Sequence, residues 1–265
     1  CYTPADIVFV VDGSGSIVSQ DWTSLVSFTR NLASKFAVSS TGTQVGLIQY
    51  ATYAKIEAGL QTSSTDLDNA IKNMVQQKTG TGTLFGLQLA AEEILEKVPD
   101  SRKSLPKVII LITDGVSNLP LRCESSSYDK YYLTNKFNPR AYGAYTCKGY
   151  YQTIHGHTDW YDRCRGSPNF PSHTCEICYE YFNYLQGCSD IIKLTNVYNS
   201  RRKANGNVAD WKIVPVGVGE KLTTAGEEQL KQASWDGKTY FRVGFDDLET
   251  IKSKIVDIAC DGNNV

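Results

Sequence analysis

Ile7-Val8-Phe9-Val10-Val11 runs straight into Asp12-Gly13-Ser14-Gly15-Ser16. An unbroken apolar run bounded by turn residues reads as a fully buried strand, of the kind found in parallel sheets. Open α/β sheets place their ligand sites outside the carboxyl ends of such strands. There the chain offers one carboxylate and two hydroxyls, spaced by glycines. Glycine lets a backbone turn tightly around a small ion. Carboxylate and hydroxyl oxygens are hard donors suited to Mg²⁺, Mn²⁺ or Ca²⁺.

A second apolar run, Val108-Ile109-Ile110-Leu111-Ile112, ends in Thr113-Asp114-Gly115. Between the two lies Thr79-Gly80-Thr81-Gly82-Thr83, a hydroxyl-rich loop ahead of a helical pattern. Taken together, D-x-S-x-S at Asp12, Ser14 and Ser16, T-x-T at Thr81 and Thr83, and T-D-G at Asp114 resemble the von Willebrand factor A-type family, which includes the integrin I domains. The resemblance implies a metal-ion-dependent adhesion site. Ser14, Ser16 and Thr81 would be its hydroxyl ligands, with Asp12 and Asp114 holding the ion largely through water. One position would be left for a carboxylate of the partner. Thr83 is the weaker match for the loop ligand. Mg²⁺ is the expected ion, with Mn²⁺ or Ca²⁺ as alternatives. Two carboxylates leave little surplus negative charge on a divalent ion, so an ion held mainly by neutral hydroxyls stays attractive to an incoming Asp or Glu.

At 265 residues and a net charge of −1, the chain fits one α/β unit and gives no reason to expect nucleic acid as a partner. No stretch approaches the roughly 18 consecutive apolar residues of a membrane span, so direct membrane insertion is not expected. Of the eight cysteines, Cys1 and Cys260 sit at the extremes, while Cys123, Cys147, Cys164, Cys175, Cys178 and Cys188 share one segment. An even count segregated in this way favours disulfides and an oxidising compartment. The alternative is zinc held by Cys175 and Cys178 with a second pair or with His173. Structural zinc commonly uses two close pairs, however, and only one C-x-x-C occurs. The family resemblance implies a Cys1–Cys260 disulfide; the other six cysteines remain unassigned. Cysteine usage and the resemblance together imply an extracellular or cell-surface location reached through the secretory pathway.

Apolar residues recur at helical spacing over residues 20–37, 65–75, 84–98, 189–203, 223–235 and 246–260. Strands at 45–50, 53–60, 211–218 and 239–243 join the two quoted runs. Only two residues separate 45–50 from 53–60, which implies an antiparallel hairpin, because parallel strands need a longer crossover. Thr65 reads as the cap of the second helix, and Asp246-Asp247-Leu248-Glu249 as a capping box opening the last. The expected fold is α/β. It is a doubly wound, mainly parallel six-stranded sheet with one antiparallel edge strand and helices on both faces, plus a disulfide-rich irregular insertion.

That insertion is residues 119–188, within a single domain spanning 1–265. A β-to-α connection ordinarily takes about 2–6 residues, and this one is on the order of ten times longer. It holds six of the eight cysteines, all three histidines and eleven of the sixteen tyrosines, with no strong run of period 2 or 3.6. Because it follows Asp114 so closely, it is expected to start at the rim of the metal face and to shape selectivity there. Its tyrosines suit a recognition surface or packing around disulfides, and both readings stand. His155 and His157 read as surface-loop residues. Ile251 is the nearest match to the isoleucine that latches the closed state of integrin I domains, but it reads here as core.

No G-x-x-x-x-G-K-[ST] loop and no G-x-S-x-G elbow occurs, so no enzyme is expected and no catalytic residue is assigned. The functional expectation is an extracellular adhesion or ligand-binding module. Its partner would be a protein presenting an Asp or Glu carboxylate, such as a matrix or cell-surface protein. The alternative is a structural or matrix-assembly protein using the insertion for metal-independent contacts.

Overall fold

The computed structural model describes residues 4–115, 211–219, 222 and 224–260; the expected insertion at 119–188 and helix at 189–203 lie outside the described residues. The chain divides into two units, residues 1–117 with 191–265 and residues 118–190, and all described residues belong to the first.

Six strands form one sheet: β1 (Asp6–Asp12), β2 (Gln44–Tyr50), β3 (Ala54–Gln61), β4 (Lys107–Thr113), β5 (Trp211–Val218) and β6 (Phe241–Val243). Their order is β3-β2-β1-β4-β5-β6. Every neighbouring pair is parallel except β2 with β3, the antiparallel edge. Succession runs outward to β3 on one side and to β6 on the other, so the winding switches between β1 and β4. A switch point in an open α/β sheet opens a crevice at the carboxyl ends of those two strands.

The helices are α1 (Ser19–Ala33), α2 (Ser64–Lys72), α3 (Thr83–Leu89), α4 (Thr224–Ala233) and α5 (Lys252–Cys260). Every residue of β1 and β4 is buried, as continuous apolar runs require when both faces are covered. Ile7, Phe9 and Val11 share a core with Leu25, Phe28 and Leu32 of α1, Leu67 and Ile71 of α2, and Ile251 and Ile255. On the other face Val10 meets α3, and a Cβ on Gly86 would sit 2.6 Å from Val10 Cγ1, so only glycine lets this helix lie so close. At the amino ends of the strands, Asp6 accepts from Arg102 Nε at 2.8 Å and Nη2 at 2.6 Å, and from Lys107 Nζ at 2.8 Å.

Helix boundaries differ from the periodicity in five places. The first helix ends at Ala33; Phe36 lies beyond it but still reaches the core, edge-on to Phe9 at 6.2 Å between ring centroids. The cap of α2 is Ser63, not Thr65, because the Ser63 hydroxyl accepts from Asp66 N at 3.3 Å. Val75 falls outside that helix and is 79% exposed. The stretch read as one helix over 84–98 is α3 followed by a π-helical turn at Ala90–Leu95. The wider turn shifts the phase of the stripe, and Ile94, Leu95 and Val98 all stay buried. No capping box opens the last helix. A 3₁₀ segment, Phe245–Ile251, precedes α5, and Glu249 bonds Asn31 and Lys252 instead. Cys260 closes α5 and is disulfide-bonded, with a partner outside the described residues. Among the described residues no helix is long and apolar enough to cross a membrane.

Candidate metal centre

Strand register decides which side chains meet at the carboxyl edge. Asp12 is the Cα partner of Tyr50 across β1 and β2. Val11 pairs with Ile112, which brings Thr113 level with Asp12 on the other side. The Asp12 carboxylate is fully buried and accepts from Thr113 Oγ1 at 2.7 Å and from the Tyr50 hydroxyl at 3.4 Å. Its other oxygen accepts from Ser14 N at 2.8 Å, an Asx turn that bends the chain out of the strand. From there a chain of oxygens crosses the crevice. Ser14 Oγ and Ser16 Oγ lie 3.0 Å apart, and Ser16 Oγ donates to Asp114 Oδ1 at 2.9 Å. Four of the five expected donors, Asp12, Ser14, Ser16 and Asp114, are thus linked by short hydrogen bonds.

The fifth, Thr81, is buried on the loop that enters α3. That loop is fastened to both neighbours. Gly15 N donates to Thr79 O at 2.8 Å, Gly82 N to Ala51 O at 2.8 Å, and Gly80 N to Thr52 Oγ1 at 2.9 Å. Thr83, the weaker match, donates its hydroxyl to the Tyr50 hydroxyl at 3.5 Å.

Burial, reinforced by the nearby Asp114 charge, pushes the Asp12 carboxyl up to about 6; bonds from Ser14 and Thr113 oppose the rise. Burial and the Asp12 charge together hold the Tyr50 phenol well above its ordinary range, so it serves as a neutral donor. No basic side chain bonds Asp12 among the described residues. A buried carboxylate without a countercharge is unfavourable, and a divalent ion relieves it. Two carboxylates and three hydroxyls are also the donor chemistry of a small hard cation. Among the described residues no group of three His, Cys, Asp or Glu side chains offers a competing site.

The sequence reading did not assign Tyr50, Thr113 or Gln76. Thr113 stood inside the quoted Thr113-Asp114-Gly115 and was available to it. Tyr50 becomes meaningful only through the register. Gln76 donates from Nε2 to Ser14 O at 2.9 Å and to Ile17 O at 2.8 Å, and no local pattern announces that.

Residues 6–129 match the sequence profile of the von Willebrand factor type A domain. Mouse vitrin is 34% identical over 137 residues, which is 51% of this chain and 21% of vitrin. Chicken integrin alpha-1 is 35% identical over 121 residues, 44% of this chain and 42% of that protein. The chain therefore matches less than half the length of these relatives. Proximal thread matrix protein 1 from the mussel byssus, solved with a zinc-occupied MIDAS motif, shares the fold at TM-score 0.61 and 19% identity, covering 98% of this chain and 46% of that one.

Proposed function

Because residues 6–129 match the profile of the von Willebrand factor type A domain, we propose that this chain is an extracellular adhesion or ligand-binding module that captures a protein through a divalent ion. The observation that carries the reading is Asp12. It is fully buried, pushed up to about 6, bonded only by neutral donors, and one hydroxyl chain away from Asp114. When bound, the ion supplies a positive centre for a carboxylate of the partner. The protein's part is to hold the donors. Thr113 and Tyr50 fix the Asp12 carboxylate. Ser14, Ser16 and Thr81 would contribute neutral oxygens that leave the ion's charge largely available, and Asp114 would add a second carboxylate. Mg²⁺ suits this set, with Mn²⁺ and Ca²⁺ as alternatives. The zinc-occupied motif of the mussel protein and the integrin relative support the reading. Residues 119–188, following Asp114 closely in the chain, would set selectivity for the partner. Nothing in this role requires a catalytic step, and the module is read as non-enzymatic.

Calorimetric titration of Mg²⁺ and Mn²⁺ into chelator-stripped wild type and Asp12→Ala tests the proposal. Binding by the wild type that disappears in the variant is the expected result. A wild type that binds neither ion overturns it. The mussel thread matrix protein motivates a second reading, matrix assembly through residues 119–188 without metal. Self-association that persists in chelator would favour that alternative.

A further inference from the structure

The two loops that bring hydroxyls to the crevice are joined by the short segment between α2 and Thr81. Lys78 N donates to Gly13 O at 2.9 Å, and Gly15 N donates back to Thr79 O at 2.8 Å. The Gln76 carboxamide extends this pairing along the D-x-S-x-S loop, its Nε2 bridging Ser14 O at 2.9 Å and Ile17 O at 2.8 Å. Both acceptors are carbonyl oxygens, so the amide must present its NH₂ to them, and its orientation is fixed by chemistry. The opposite atom, Gln76 Oε1, is buried without a hydrogen-bond partner. A carboxamide held with one end unsatisfied is held by its other end. The bridged stretch, residues 14–17, contains both serine donors.

We infer that Gln76 is a positioning residue for the metal site, clamping the backbone that carries Ser14 and Ser16 in register with the Thr81 loop. The inference rests on the metal reading above. Ser16 is exposed, and its hydroxyl reaches Asp114 only because the loop beneath it is bent and held. Without the clamp the loop has lost the ties at 14 and 17 and depends on its backbone pairing at residues 13 and 15 alone, which then opens more often. Partners outside the ligand shell typically change metal affinity by about ten- to a hundredfold when removed.

The test uses Gln76→Met, which keeps the length and bulk of the side chain and removes both donated bonds. Gln77→Met is the control, because the buried Gln77 carboxamide makes no side-chain hydrogen bond. Mn²⁺ affinity is measured by calorimetry, and exchange of the Gly15 amide by NMR in metal-free protein. For Gln76→Met we expect Mn²⁺ binding about ten- to a hundredfold weaker, faster Gly15 exchange, and a thermal midpoint close to wild type. Gln77→Met should keep wild-type affinity. Wild-type affinity in Gln76→Met, or equal losses in both variants, overturns the inference while the metal reading stands. If the wild type binds no Mn²⁺ the metal reading fails, and the exchange measurement decides separately whether Gln76 holds the loop.

Discussion

Asp6 and Asp12 stand at opposite ends of the same strand, and both carboxylates are fully buried. At the amino end the chain supplies its own countercharge. Arg102 grips one oxygen of Asp6 with two N–H groups, and Lys107, itself buried, bonds the other. Arg102 also ties Ala5 O and Gly42 O, while Lys107 ties Arg102 O and Leu105 O, so each charge in the cluster is paired and hydrogen-bonded. At the carboxyl end the same residue type, equally buried, receives only a backbone N–H and two hydroxyls. One end of β1 is closed by the fold alone. The other is left electrostatically incomplete beside a second carboxylate, the arrangement a cation-dependent surface requires. Burial by itself therefore says little about a charged residue; what surrounds it separates a structural lock from a site.

The largest expected effect separates the two aspartates directly. Asp6→Asn leaves two buried cations facing a neutral amide, and breaking a buried pair in this way costs about 3–5 kcal/mol. Urea unfolding of metal-free protein at pH 7 should show that loss. Asp12→Asn, which removes an uncompensated charge, should show none or a gain. Equal losses in both variants would break the contrast. A smaller effect comes from pH. A carboxyl whose folded pKa lies above its unfolded value stabilises the fold when protonated. For Asp12 that contribution is complete below the ordinary value of 3.8 and is lost as pH rises through about 6. Over the whole range it amounts to about 3 kcal/mol, of which about 1 kcal/mol is regained between pH 7 and pH 5. It is read as the stability of wild type minus Asp12→Asn in chelator, which cancels the other carboxylates. That difference should rise as pH falls, and excess Mg²⁺ should flatten the slope by binding the folded state. A difference that ignores pH would mean Asp12 is compensated after all.

The sheet was legible because its central strands carry no ambiguity: β1 and β4 are unbroken apolar runs between their polar end residues, and 211–218 matches β5 residue for residue. Helix ends were less legible, since they depend on single hydrogen bonds. Whether Ser63 or Thr65 caps α2 is decided by one bond to Asp66 N. Val75 fits the helical period, but the helix stops at Lys72, three residues short of it. At the site, Asp12, Ser14, Ser16 and Asp114 were visible as motifs at strand ends. Their supports were not. Tyr50 reaches Asp12 only because the register pairs the two, and Gln76 acts through backbone carbonyls that no side-chain pattern encodes.

Tyr50→Phe sharpens the contrast on a finer scale. It removes a neutral donor to Asp12 and the acceptor of the Thr83 hydroxyl while keeping the buried ring, for a cost of about 1 kcal/mol in metal-free stability. A loss several times larger would make the phenol a substitute for the missing countercharge.

The smallest expected effect concerns the backbone at the carboxyl edge of the sheet. Lys78, at φ 56°, is the only non-glycine residue with positive φ among the described residues, and it lies on the segment that braces the two hydroxyl loops. Its side chain is exposed, so the strain is not compensated by packing. What holds it is the pairing of its N–H with Gly13 O and the close approach of its carbonyl to Gly15, where a Cβ would sit 3.2 Å from Lys78 O. A non-glycine residue in this region costs on the order of 1 kcal/mol, partly offset in a Lys78→Gly variant by the greater freedom of glycine in the unfolded chain. The net expectation is a gain of roughly a few tenths of a kcal/mol, read as a slightly higher melting midpoint, with Mn²⁺ affinity unchanged. A lower midpoint would show that the lysine side chain contributes at this edge, and that its strained backbone is compensated there as fully as the charges are around Asp6.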